Sequence, residues 1–379
     1  MLLEVSCALS ELPVKTSIRA ARYHGNKDVR VEDLPMPTLK PGTALVEIEW
    51  CGICGSDLHE YVAGPLGGPI PTDDRPHPLT GEWLPVVLGH EACGVIKSSN
   101  KGSRFKPGQR VVINPRLNCK QCVPCTTGHE HQCPQLGFLG YSGIGGGFSE
   151  VVPVGEESLY PIPGNVHFEC AALVEPLAVA HHAIKATGVE DFSSKTVLVT
   201  GCGPVGVAVI LGLKSFGAKR IIVSEPATAR RQQTEDMVEA ALDPTAEDIG
   251  RRCRELTDGR GIDVAFDCAG VQRGVQPALE ALANDGIWMN VSIWEMPILL
   301  TFWPFMLKEL KVMTSACYTD EDFREVVERL GQEKYPGYER MVTGRICLDD
   351  IVPKGFKALI ENKDTHIKIF VTPKKSNLG

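Results

Sequence analysis

The chain lacks any apolar run long enough to cross a bilayer as a helix, which takes about 18 residues. Basic charge is scarce too: 39 Lys and Arg stand against 47 Asp and Glu, giving a formal net charge of -8 with no basic stripe. That balance argues against nucleic acid and anionic membranes as partners. Internal repeats and low-complexity tracts are absent, which sets aside a repeat architecture. The first residues, MLLEVSCALSELPVK, have too short an apolar run and too little positive charge for a secretory signal, and Glu4 and Glu11 argue against a mitochondrial presequence. Residues 1–18 are expected to form a loosely ordered extension, and the location is expected to be cytoplasmic.

Hydrophobic residues are plentiful, 43% of 379, enough for a large core and two or three domains. There are also 14 cysteines. In a long chain without a secretory signal, four of them at metal-site spacing indicate thiolates on a metal rather than disulfides. Cys7, Cys202, Cys253, Cys317 and Cys347 read as small hydrophobes.

From about 19 to 163 the chain runs as short strands broken by Gly and Pro, such as TALVEIEW (43–50) and QRVVINP (109–115), the pattern of a β-barrel. Its character then changes. ECAALVEPLAVAHHAIKATG is apolar at helical spacing and ends on Gly188, a C-terminal cap. Strand-like runs follow at 196–201, 219–225, 263–270, 286–294 and 310–318, the first pairs separated by helix-length segments. This alternation predicts a doubly wound α/β domain. A polar amphipathic helix over 320–330 and a final strand over 366–373 read as a return to the first domain.

TVLVTGCGPVGVAVILG carries Gly201, Gly203 and Gly206, with Pro204 and Val205 between the last two, directly after a strand and opening a helix. The first glycine permits a tight turn, the second lets backbone approach a pyrophosphate, and the third lets helix pack on strand. The helix N-terminus offers free N–H groups to phosphate. Glu225 follows at the end of the second strand, where a carboxylate accepts ribose hydroxyls and repels a 2′-phosphate, favouring NAD over NADP. The alternative is that Glu225 merely ends a strand at the surface. Arg230, which could attract a 2′-phosphate, is read as lying over the adenine.

Two metal sites are expected. Cys119, Cys122, Cys125 and Cys133 stand as C-x2-C-x2-C-x7-C, four soft donors for a closed tetrahedral zinc that holds a loop and does no chemistry. An iron–sulfur centre and free thiols are the alternatives, with His129 and His131 solvated nearby. The second set is dispersed: Cys54, His90 with Glu91, and Glu175. One Cys, one His and one Glu leave an open zinc position, as catalysis requires. Two directly bound carboxylates would make the shell negative, so Glu91 is preferred as the ligand and Glu175 is expected to act through water or as an alternate. Singly, each has a bland explanation: a core histidine, packing cysteines, a helix-start carboxylate. Their joint occurrence with a dinucleotide loop favours zinc-assisted hydride transfer.

CGICGSDLHEY (51–61), GHE (89–91), the four-cysteine segment, VEPL (174–177) and the glycine fingerprint together resemble the zinc-dependent medium-chain alcohol dehydrogenase superfamily, in order and over nearly the whole chain. Within it, DLHEYVAGP (57–65), RPHPLTGEWLPVVLGHE (75–91), GFLGYSGIGGGFSE (137–150) and NVSIWE (290–295) look most like 2,3-butanediol (acetoin) dehydrogenases, with sorbitol and threonine dehydrogenases next. The resemblance implies an α/β protein with a GroES-like β-barrel catalytic domain (19–173, zinc lobe 119–133) split around a doubly wound Rossmann domain (174–317), residues 318–379 returning to the first. It implies two zinc ions and NAD, a homodimer or homotetramer, and a small secondary alcohol or ketone as substrate, a vicinal diol first and a polyol or threonine as alternatives. It implies that Ser56 accepts the hydroxyl proton and that His59 relays it, unless His59 is merely structural. Leu66, Ile70, Trp83 and Trp294 are candidate pocket walls. Rival readings are a catalytically idle NAD-binding protein, which would lose the open zinc site, and a zinc-free reductase, which would lack its Cys and His-Glu ligands.

Overall fold

The computed structural model describes residues 16–65, 69–294, 296–362 and 364–378. Most of the expected N-terminal extension, and Leu66, lie outside these residues. Of the expected extension, Ser17 and Ile18 lie in the strand Ser17–Gly25.

The barrel-like part is built around the strand Thr43–Gly52. It pairs antiparallel with Glu91–Ser99, with Val151–Gly155 and with the late strand Lys368–Thr372. The register is what matters for function. Gly52 lies opposite Glu91 on one side and opposite Phe370 on the other. One end of the sheet therefore gathers Cys54, His90, Glu91 and Lys368 from three distant stretches of sequence. Gly52 itself must be small, since a Cβ there would sit 2.0 Å from the Glu91 carboxylate. Val342–Cys347 pairs with Lys368–Thr372 and completes that sheet.

The second sheet has six parallel strands in the order Ala240–Leu242, Arg220–Ser224, Thr196–Thr200, Ile262–Asp267, Leu282–Asn290, Lys311–Thr314. This is the doubly wound order whose strand direction of growth reverses between the third and fourth strands, where ligands bind at the carboxyl ends. Val197, Leu198 and Val199 are wholly buried, as expected of a strand covered on both faces. The strand expected over 286–294 spans Leu282–Asn290, leaving 291–294 outside it. After Glu225 the helix is short, Thr228–Thr234, and passes into a 3₁₀ turn, Glu235–Met237.

The helix Val174–Ala186 joins the two parts, ending at Gly188, which takes a left-handed φ of 71°. The helix Asp320–Gly331 packs against it, close to the expected span. Along the outer strand Lys311–Thr314 and the segment before it, Ile293, Met296, Leu299, Phe302, Trp303, Met306, Leu307 and Val312 are exposed. No helix among the described residues is long and apolar enough to cross a membrane.

Candidate zinc and dinucleotide sites

Cys54 sits at the N-cap of the helix Gly55–Ala63, so helix geometry decides what surrounds it. Asp57, at the third helical position, accepts from the Cys54 backbone N–H at 2.9 Å and is completely buried. Its second oxygen lies 3.6 Å from His90 Nδ1, and each of those two atoms has no closer partner. Burial first of all pushes the Asp57 carboxyl up, to about 6, while His90 and the Cys54 N–H pull against it. Ser56 Oγ lies 3.4 Å from the other ring nitrogen, Nε2. With Nδ1 facing a carboxylate, Nε2 is the lone-pair side, the arrangement that orients a metal-binding imidazole. His59, half-buried, lies one turn beyond Ser56.

Ligand atoms of Cys54, His90 and Glu91 all fall within 4.8 Å of one another. That spacing and mix of sulfur, imidazole and carboxylate fit a zinc ion with a position left for another oxygen. Glu175 stands outside this trio, buried in the first turn of its helix beside the Tyr318 hydroxyl. Burial raises its carboxyl to about 7, with His90 opposing. Glu91 holds a further partner that sequence reasoning missed: Lys368 Nζ reaches its two oxygens at 2.6 and 2.5 Å, both side chains being 1% exposed. Burial pulls the ammonium down, but Glu91, with Cys54 and Glu175, together outweighs it and holds Lys368 above its ordinary value. Lys368 thus supplies the positive charge that the sequence-based count left out. The objection to two carboxylates near one ion is correspondingly weaker. The signal in the sequence was a single lysine inside the apolar strand IKIFV, and for Asp57 an acid three residues past the N-cap.

The sulfurs of Cys119, Cys122, Cys125 and Cys133 also lie within 4.8 Å of one another. The Cys119 N–H approaches Cys133 Sγ at 3.5 Å, and the Cys122 N–H approaches Cys119 Sγ at 3.4 Å. Backbone N–H donors from Gln121 and Cys122 lower the Cys119 thiol to about 6, favouring the thiolate a metal needs. His129 is exposed as expected. His131 is not: its ring packs edge-on at 4.6 Å against His182, which ties this lobe to the helix Val174–Ala186. A third cluster, His181, Asp322 and Glu325, has metal-like spacing, but Lys185 Nζ lies 3.0 Å from Asp322 and 3.1 Å from Glu325 and already fills the cation's place.

At the glycine turn, Gly201 has φ 88°, and a Cβ on Gly206 would fall 1.9 Å from the Gly201 carbonyl. Pro204 and Val205 open the helix Pro204–Ser215, and the face of Gly203 is open except for the Arg230 guanidinium at 3.7 Å from a Cβ position. Glu225 is buried, not a surface strand end. It accepts from Cys202 N at 2.7 Å and Ala227 N at 2.9 Å, tying the loop to the second strand. Arg230 lies at the Gly203 turn and donates to the His366 carbonyl at 3.0 Å, rather than lying free over an adenine position. His366 is two residues before Lys368, so one short stretch touches both Arg230, beside the Gly203 turn, and Glu91. Ile70 is buried in the barrel core, whereas Trp294 packs against the Rossmann-side cluster around Leu198 and Trp288.

A barrel that gathers zinc donors and a six-stranded sheet that carries a dinucleotide turn define an oxidoreductase acting on CH–OH groups. The alcohol dehydrogenase GroES-like domain family matches residues 40–164, and the zinc-binding dehydrogenase family matches 204–332. The chain belongs to the zinc-containing medium-chain alcohol dehydrogenases. It is 37% identical over 360 residues to an (R,R)-butanediol dehydrogenase of Neisseria gonorrhoeae (strain ATCC 700825 / FA 1090), covering 94% of this chain and 99% of that one. It is 38% identical over 361 residues to the (R,R)-butanediol dehydrogenase of Bacillus subtilis (strain 168), covering 94% and 100%. The crystal structure of 2R,3R-butanediol dehydrogenase from Bacillus subtilis superposes with a TM-score of 0.86 at 39% identity, over 94% of this chain and 100% of that one.

Proposed function

We propose that this enzyme interconverts a vicinal diol of the butane-2,3-diol type and its hydroxyketone, with NAD as the hydride carrier. Cys54, His90 and Glu91 would hold a catalytic zinc, with Glu175 as alternate or water-mediated partner, and the four-cysteine lobe a structural one. The observation that carries the reading is the convergence of that trio within 4.8 Å, with Glu91 paired to Lys368 two residues along the chain from the His366 carbonyl that accepts from Arg230. When bound, the zinc supplies Lewis acidity that makes the alcohol hydroxyl easier to deprotonate. Ser56 Oγ accepts that proton and His59 relays it. Asp57 fixes the His90 ring, and Lys368 fixes Glu91. The Gly201–Gly206 turn and the helix N-terminus bind the pyrophosphate, with Arg230 adding positive charge there. Glu225 receives the adenosine ribose and disfavours a 2′-phosphate. Orientation in the cleft then sets the carbinol carbon against the nicotinamide.

Domain limits at 173 and 317 belong to the same reading, as does a homo-oligomer. Supporting the latter, the eight exposed apolar side chains between Ile293 and Val312 present on the order of 1,000 Å², above the few hundred typical of a monomer's largest patch and comparable to the ~800 Å² per partner of a stable interface. All described cysteines are free, in keeping with a reducing compartment such as the cytoplasm. Initial rates on butane-2,3-diol, sorbitol and threonine, each with NAD and NADP, test the function. The diol with NAD should give the highest kcat/KM. A higher value for sorbitol or threonine, or for NADP, would overturn the corresponding part.

A further inference from the structure

The segment GYSGIGGG (140–147) has no part in the chemistry so far, yet it lies directly on the backbone that carries His90. Its glycines allow that approach. Gly140 takes φ 81°, and a Cβ there would fall 1.9 Å from the Gly89 carbonyl. A Cβ on Gly146 would fall 2.4 Å from the Leu88 carbonyl. The Gly147 N–H donates to the Gly89 carbonyl at 2.7 Å, and the Phe148 N–H to the Leu88 carbonyl at 3.0 Å. Backbone meets backbone, with no room for a side chain between. Tyr141, next to Gly140, is thereby delivered to His90, its ring packing edge-on at 5.7 Å.

Tyr141 is 5% exposed, and a phenol hydroxyl so buried needs a partner. It donates to the Ser56 backbone carbonyl at 3.0 Å. Burial, with the Glu60 and Asp57 carboxyls adding to it, holds this phenol well above its ordinary value, so it keeps the proton it donates. Ser56 lies in the first turn of the helix Gly55–Ala63, and its Oγ stands 3.4 Å from His90 Nε2. Tyr141 therefore touches the imidazole with its ring and the backbone of the proton acceptor with its hydroxyl. The next residue keeps it there. The Ser142 hydroxyl donates to the Pro69 carbonyl and accepts from the Phe138 N–H at 2.9 Å, while its carbonyl accepts from Thr80 Oγ1 at 2.6 Å.

We propose that Tyr141 is a positioning residue whose hydroxyl holds Ser56 in register with His90 for taking the substrate proton. This rests on the functional reading above, in which Ser56 Oγ is the proton acceptor. The glycine-rich loop is then the mount for Tyr141, and its glycines serve the proton step indirectly.

The test compares wild type, Tyr141→Phe, Ser56→Ala and the double variant, using butane-2,3-diol and NAD. Zinc content, thermal unfolding, kcat, KM and the solvent deuterium isotope effect on kcat are measured on each. Tyr141→Phe keeps the ring on His90 and loses only the hydroxyl. It should keep its zinc, leave KM within about threefold, and lower kcat about tenfold with a larger isotope effect. Ser56→Ala should lower kcat about a hundredfold. In that background Tyr141→Phe should cost less than about a further twofold, because both changes strike one step. Wild-type kcat in Tyr141→Phe, fully multiplicative losses in the double variant, or loss of zinc or of the folded state in Tyr141→Phe overturns this inference alone. Wild-type kcat in Ser56→Ala overturns the role of Ser56 in the functional reading, and this inference with it.

Discussion

Lys368 carries a charge where no water reaches it, and the reason lies 2.5 Å away in Glu91. Buried charges persist only in pairs, so this lysine marks the carboxylate it neutralises. Asp57 works in the same way on His90, orienting a ring rather than touching substrate. Asp57→Asn should keep the fold but weaken zinc retention in the cleft about tenfold to a hundredfold, the usual effect of losing such a support. Competition with a chromogenic chelator reads this directly, and unaltered retention would contradict it. Cys54, Ser56, His90, Glu91 and Glu175 stand out in the sequence as candidates because their local motifs are short, and the structure brings Cys54, His90 and Glu91 within 4.8 Å of one another. The neighbours Asp57, Tyr318 and Lys368 do not, because their contacts depend on which elements lie opposite which. Arg230 was legible as a basic group near the cofactor, but its direction was set by the His366 carbonyl, 136 residues away in the chain.

Between elements, the seam joining the helices Val174–Ala186 and Asp320–Gly331 is made of titratable pairs. His181, completely buried, bonds Glu325 at 2.6 Å and packs on Phe216. His182 bonds Asp322 at 2.7 Å. Burial holds His181 below its ordinary 6.5, with Glu325 opposing. The unfolded chain therefore takes up this proton first as pH falls through about 6.5, so the seam is most stable above that value and weakens below it. His181→Gln should make the slope of thermal stability, from pH about 7.5 down to 5.5, less downward than in wild type. An equally steep slope in the variant would remove His181 from the cause. The helices themselves were readable from apolar spacing and from Gly188. Their polar seam was not, since it joins residues some 140 positions apart.

On the scale of the whole molecule, the return of Lys368–Thr372 to the strand Thr43–Gly52 binds the late part of the chain to the early part and brings Lys368 to Glu91. The final strand was visible in the sequence as HIKIFVTP, but its partner was not, because strand patterns carry no address. The exposed edge strand Lys311–Thr314 and the apolar segment before it belong to this scale as well. Leu299→Glu together with Phe302→Glu should shift the proposed homo-oligomer toward monomer in sedimentation velocity, with the folded chain retained. An unchanged assembly would send the search for its interface to another face. The central claim, that one sulfur, one imidazole and one carboxylate hold a working zinc next to the cofactor turn, is tested most directly by Cys54→Ala. Zinc content and NAD-linked diol oxidation should be measured on the same preparation. Loss of one of two zinc ions per chain and loss of turnover by at least about a thousandfold are expected. Near-normal turnover in a variant whose cleft holds no zinc would contradict it.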